Sequence, residues 1–184
     1  MRLWIDTETG GLNCNKYDLL TIGIVVENNG LFIAQQEFGI KRDEYRTTKS
    51  AMDINKINLN NLQDDPVQVI KTIKRIVKEC FKDEKPIIYG QNTQFDLGFL
   101  KIFFDEFGTD GESKFNDIFS GRIFDIYTVA NYLIDIKKLH QGTTSLSKMV
   151  KHFNINKQGR HTALSDAKMT ASVYHKMLQI GGMF

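Results

Sequence analysis

The stretch from Arg2 to Phe38, RLWIDTETGGLNCNKYDLLTIGIVVENNGLFIAQQEF, is the most telling in the chain. Its apolar residues run in short blocks bounded by turn residues, a pattern of strands rather than helices. Residues 2–6 read as a short strand, 18–27 (DLLTIGIVVE) as a longer apolar one, and 31–38 (LFIAQQEF) as its return. Asn29-Gly30, between the last two, is a strong two-residue hairpin signal. The chain therefore opens as an antiparallel meander.

Residues 39–64 are polar, with a short helix near Ser50–Asn58. Asp65-Pro66 then opens a clear helix: proline suits the first turn and Asp65 can cap it. Ile70, Ile73, Ile76, Val77, Cys80 and Phe81 recur at helical spacing through about residue 82. Residues 86–89 (PIIY) are a short buried strand, followed by a helix over 95–107 with Phe99, Leu100, Phe103, Phe104 and Phe107 on its apolar side. A polar loop over 108–117, a strand over 119–125 and helices over 126–139, 143–153 and 162–179 complete the reading, with Gly181 as the final stop. Three strands, then alternating helix and strand, then helices, mean an α/β fold with a mixed sheet. Residues 1–184 read as one domain.

Composition excludes several classes. With 41% hydrophobic and 25% charged residues, the chain is neither disordered nor of low complexity. Cys14 and Cys80 lie too few and too far apart for a disulfide framework or a cysteine zinc site. No apolar run approaches the ~20 residues of a membrane span, and no signal peptide follows Met1. The expected location is cytoplasmic, or the host-cell cytoplasm for a viral protein, with no membrane partner. The net charge of +2 hides a split: residues 1–136 carry 16 Lys/Arg against 21 Asp/Glu, and residues 137–184 carry 8 against 1. Such segregation points to a polyanion touched by the C-terminal quarter, or to a solvated basic helix face.

Chemistry could reside at three junctions. Asp6 and Glu8 alternate along the first strand and so share a face. Two converging carboxylates before Gly10-Gly11 make a hard-cation site. The pattern is weak by itself, since roughly 0.6 Asp-x-Glu matches arise by chance in this composition; Asp110–Glu112 is the other, read as surface. Asp96 follows Asn92 in the first turn of an apolar helix, where an acid also simply suits the helix dipole. Asp166 is the only acid in the last 48 residues, with His161 just before its helix. Taken together, four carboxylates and a histidine compose a two-metal phosphoryl-transfer site. The chain has no P-loop, no G-x-S-x-G and no H-E-x-x-H.

DTETGGL (6–12), NTQFDLGFL (92–100) and HTALSDA (161–167) resemble, in order, the three motifs of the DEDDh 3′→5′ exonucleases. Proofreading subunits of bacterial replicative polymerases, RNase T and oligoribonuclease are members of that family. The resemblance runs from Leu3 to Tyr174 and includes SAMDINKIN (50–58), DDP (64–66) and GRIFDIYTVAN (121–131). It implies an RNase H-like fold, a mixed five-stranded sheet flanked by helices. It also implies Asp6, Glu8, Asp96 and Asp166 as ligands of two Mg²⁺ or Mn²⁺ ions, and His161 as the general base. A sister subfamily has tyrosine four residues before the last aspartate; here that position is Thr162, so the histidine type is favoured. Gly10 stands where a second threonine is common, and Gln91 where a histidine is common.

The implied activity is metal-dependent release of nucleoside 5′-monophosphates from the 3′ end of a single strand, DNA of the proofreading or repair type foremost. Thr9 and the backbone at Gly10 are expected beside the terminal 3′-hydroxyl. Leu12 is expected to wedge against the terminal base, with Asn92 and Phe95 along the groove and Lys157 and Arg160 on the phosphates. A polymerase or a second copy is a further possible partner. The rivals are an RNase T-like or oligoribonuclease-like exoribonuclease and a catalytically silent nucleic-acid-binding module.

Overall fold

A computed structural model describes residues 1–108, 113–156 and 162–182. Its centre is a five-stranded mixed sheet. The opening meander consists of β1 (Arg2–Thr9), β2 (Leu19–Asn28) and β3 (Leu31–Gly39), paired antiparallel. The β2–β3 turn has Asn29 and Gly30 both at positive φ, 50° and 83°, as its Asn-Gly sequence requires. On the other side of β1, β4 (Ile88–Gly90) and β5 (Ile123–Asp125) add in parallel, for the order β3-β2-β1-β4-β5. This is the RNase H-like arrangement expected from the motifs.

Helices α1 (Lys49–Asn55), α2 (Pro66–Phe81), α3 (Thr93–Phe107), α4 (Phe115–Ile118), α5 (Ile126–Asp135), α6 (Leu146–His152) and α7 (Ala163–Gly181) complete the described residues. Alternation along the strands builds two cores. Leu3, Ile5, Ile22 and Ile24 face α2 and α3, where Ile70, Ile73, Leu100 and Phe103 pack. Trp4 and Val25 face the other way, onto α5, α6 and α7, with Ala130, Met149 and Val173. Asp65 caps α2 by accepting from the Gln68 N–H, as its position before Pro66 suggests. Among the described residues no helix is long and apolar enough to cross a membrane.

Several boundaries differ from the sequence reading. The 108–117 loop ends in a helical turn, α4, because Phe115 and Ile118 are buried, Phe115 against Phe104. The expected 119–125 strand shrinks to three residues: Phe119, 1% exposed, ends α4 inside that aromatic cluster and does not join the sheet. The helix expected over 126–139 stops at Asp135, since Lys137 takes a positive φ of 57°. The first strand is longer than expected, reaching Thr9.

Candidate active site

β1 outlives its parallel neighbour. It pairs with β4 only at Leu3 and Trp4, and runs on to Thr9 held by β2 alone. The edge facing β4 is therefore bare beyond Ile5, and the first turn of α3 fills it. Asp96 accepts from the Thr7 N–H at 2.9 Å and from the Thr7 hydroxyl at 2.6 Å. A carboxylate thus does the work of a missing strand, which is why a 4%-exposed acid is tolerated there. Asp125, the cap of α5, accepts from the Asn92 and Thr93 N–H groups at 3.0 and 2.9 Å and so fixes where α3 begins. Asn92 itself is exposed and left-handed, with φ at 60°.

Asp6 and Glu8 sit on the opposite face of β1, the face shared with Trp4, and there they meet the first turn of α7. One carboxylate oxygen from each of Asp6, Glu8 and Asp166 lies within 4.8 Å of the others. The electrostatic consequence is severe. Burial, reinforced by the charges of Asp96, Asp166, Glu8 and Glu37, holds the Asp6 carboxyl well above its usual range. Burial and then the Asp166, Asp96 and Glu37 charges push Glu8 up to about 7. Burial raises Asp96 to about 7 against the opposing hydrogen bonds from Thr7. Among the described residues no lysine, arginine or histidine forms an ion pair with Asp6, Glu8 or Asp96. Oxygen-only ligands crowded beyond what their own charge permits are the donor set of a hard divalent cation, and the residues fit one.

Beside the cluster lies a mostly apolar cavity of about 500 Å³ whose lining includes Thr9, Leu12, Tyr17, Ile54, Asn55 and Phe95. Leu12 stands 88% exposed at its rim. Its walls are tied by hydrogen bonds: Gly10 donates to the Asp18 carbonyl at 2.8 Å, Thr48 donates to the Gly10 carbonyl at 2.6 Å, and Arg46 grips the Asp18 carboxylate at 2.6 and 3.0 Å. Asn55 donates to the Thr9 carbonyl at 3.3 Å. The Gly10 amide is therefore engaged within the turn. A side chain at Gly10 would collide with the Arg46 carbonyl at 2.4 Å, so glycine lets the two loops touch.

His161, Lys157 and Arg160 lie outside the described residues, as does the Asp110–Glu112 pair. Sequence reasoning missed Thr7, Glu37, Asn55 and Asp125. Thr7 lies within the first motif, but its partner is 89 positions away. Glu37 carried no local signal.

A profile of the exonuclease family, of RNase T type, matches residues 3–174, and the chain belongs to that family. The DNA polymerase III PolC-type of Listeria monocytogenes is 26% identical over 177 residues, which cover 95% of this chain and 11% of the polymerase. The Ribonuclease T of Wigglesworthia glossinidia brevipalpis is 26% identical over 188 residues, 92% of this chain and 80% of that protein. The chain spans about a tenth of the length of its PolC-type relatives. Among solved structures, Escherichia coli Exonuclease I in complex with a dT13 oligonucleotide superposes with a TM-score of 0.79 at 15% identity, over 98% of this chain and 41% of that one. The nuclease domain of 3′hExo, a DEDDh family member bound to rAMP, gives 0.74 at 18% identity, over 97% and 92%.

Proposed function

We propose that this chain is a 3′→5′ exonuclease that removes nucleoside 5′-monophosphates from single strands, with DNA as the main substrate. The convergence of Asp6, Glu8 and Asp166 within 4.8 Å carries the reading. Asp6, Glu8, Asp96 and Asp166 would hold two Mg²⁺ or Mn²⁺ ions. When bound, such cations supply an activated water and neutralise charge developing at the phosphate.

The protein's own residues do the rest. Thr7 locks the Asp96 carboxylate through two hydrogen bonds, so that ligand is preorganised. His161, two positions before α7 in the sequence, accepts the proton of the attacking water. The cavity beside Glu8 takes the terminal nucleotide, its base against Leu12 and Phe95 and its sugar toward Thr9. A mostly apolar lining stacks any base and reads none, as a degradative enzyme requires. Lys157 and Arg160 hold phosphates near the scissile bond, and Asn92 borders the groove. Likeness to a PolC-type polymerase supports DNA. Likeness to a Ribonuclease T along most of that protein's length supports a second reading, RNA.

The test is degradation of matched end-labelled single-stranded DNA, duplex DNA and RNA with Mg²⁺ or Mn²⁺. Faster removal from single-stranded DNA is expected. Preference for RNA would favour the second reading, and binding without cleavage of any of them would favour a silent module.

A further inference from the structure

Asp6, Gly23 and Glu37 form one row across the sheet. Asp6 of β1 pairs with Gly23 of β2, and Gly23 pairs with Glu37 of β3. The middle position has no side chain, and the first turn of α7 occupies the space. A Cβ at Gly23 would fall 2.1 Å from the Ala163 carbonyl carbon and 2.2 Å from the Leu164 nitrogen. The helix therefore rests directly on the strand backbone, between two acids.

The first N–H groups of a helix have no partner within it. In α7, Thr162 accepts from Ser165 at 3.2 Å, and the Glu37 carboxylate accepts from Leu164 at 3.4 Å. A carboxylate is also favourable at this positive end of the helix. Asp166 lies two residues beyond Leu164, in the same turn. We propose that Glu37 is a positioning residue for Asp166: it seats the first turn of α7 on Gly23 through the Leu164 amide, and so brings Asp166 to Asp6 and Glu8.

Two observations separate this role from that of a fifth ligand. Two strand spacings put the Asp6 and Glu37 backbones about 10 Å apart, with the helix turn between them. Glu37 also spends a carboxylate oxygen on that turn, at the Leu164 N–H. Its charge reaches Asp6 and Glu8 only as the weakest of the influences on each. The hydrogen bond, more than the charge, is what Glu37 contributes.

The proposal rests on the exonuclease reading, and Glu37→Ala and Glu37→Gln test it separately from that reading. Glutamine keeps an acceptor for the Leu164 amide and loses the charge. In the metal-free protein, hydrogen exchange in the first turn of α7 should speed up in Glu37→Ala and stay near wild type in Glu37→Gln. Calorimetric Mn²⁺ titration without nucleic acid should show affinity reduced roughly 10- to 100-fold in Glu37→Ala, the usual cost of losing an outer support of a metal ligand, and largely restored in Glu37→Gln. On single-stranded DNA, kcat should follow the same order with KM nearly constant. Unchanged exchange and Mn²⁺ affinity in Glu37→Ala would overturn the proposal. So would a Glu37→Gln variant as impaired as Glu37→Ala, which would mean that charge is what matters. Wild-type protein that binds Mn²⁺ but cuts no nucleic acid would instead overturn the exonuclease reading, leaving exchange and titration to decide the role of Glu37.

Discussion

Burial and the neighbouring carboxylates hold Asp6 and Glu8 above the usual carboxylate range, and this crowding governs how single side chains will behave. Burial, then the Asp166, Asp96 and Glu37 charges, push Glu8 in the fold from its ordinary value of about 4.5 up to about 7. Between those values the folded protein binds more protons than the unfolded one, so this contribution to stability is full below about 4.5 and fades as pH rises through 7. Glu8→Gln removes the charge. In EDTA its urea midpoint, relative to wild type, should therefore climb from pH 4.5 to pH 7.5, and Mn²⁺ should raise the wild-type midpoint more than the variant's. A constant difference across that range would show that Glu8 is not crowded. Thr7→Val tests the lock on Asp96: it keeps the shape and loses the hydroxyl that donates at 2.6 Å. A loss of roughly 10- to 100-fold in Mn²⁺ affinity or rate is expected, measured by titration and single-turnover cleavage. The candidate acids themselves were legible in sequence because each sits inside a short motif. Thr7, Asp125 and Glu37 were not, since each acts on a partner between 32 and 127 positions away.

Strands and helices were legible wherever burial imposes a period. The meander, the Asn29-Gly30 turn and the Asp65-Pro66 helix start all follow from local pattern. Elements decided by distant packing were not, and Phe119 shows why: it has strand character but ends against Phe104 and Phe115. The contact between β2 and α7 is likewise invisible until Gly23 is placed. Gly23→Ala should therefore do more than overfill a site. Overpacking costs about 1–3 kcal/mol, and here relief requires moving the turn that carries Asp166. Both a lower melting temperature and weakened Mn²⁺ binding are expected. An alanine variant with normal Mn²⁺ affinity would show that the helix does not depend on that contact.

Across the whole chain, charge is divided between an acidic first part and a basic last quarter, and Asp166 of that quarter joins Asp6 and Glu8 in the carboxylate cluster. Lys157 and Arg160, expected on the substrate phosphates, should each contribute about 0.7 to the slope of log affinity against log salt for a single strand. The Lys157→Ala, Arg160→Ala double variant should show a shallower slope and equal weakening for all sequences, measured in Ca²⁺ to slow cleavage. An unchanged slope would mean a solvated face.

Between the helices on its two faces, the sheet gathers Asp6, Glu8 and Asp166 at one end, with Asp96 held against Thr7 beside them, and the proposed hydrolysis depends on that meeting. The most direct test is a time course on a 5′-labelled single-stranded DNA with Mn²⁺, comparing wild type with Asp166→Ala. Wild type should shorten the strand one nucleotide at a time from its 3′ end and release 5′-mononucleotides, while a folded Asp166→Ala leaves it intact. Internal cuts, loss from the 5′ end, or near-normal shortening by Asp166→Ala would contradict it.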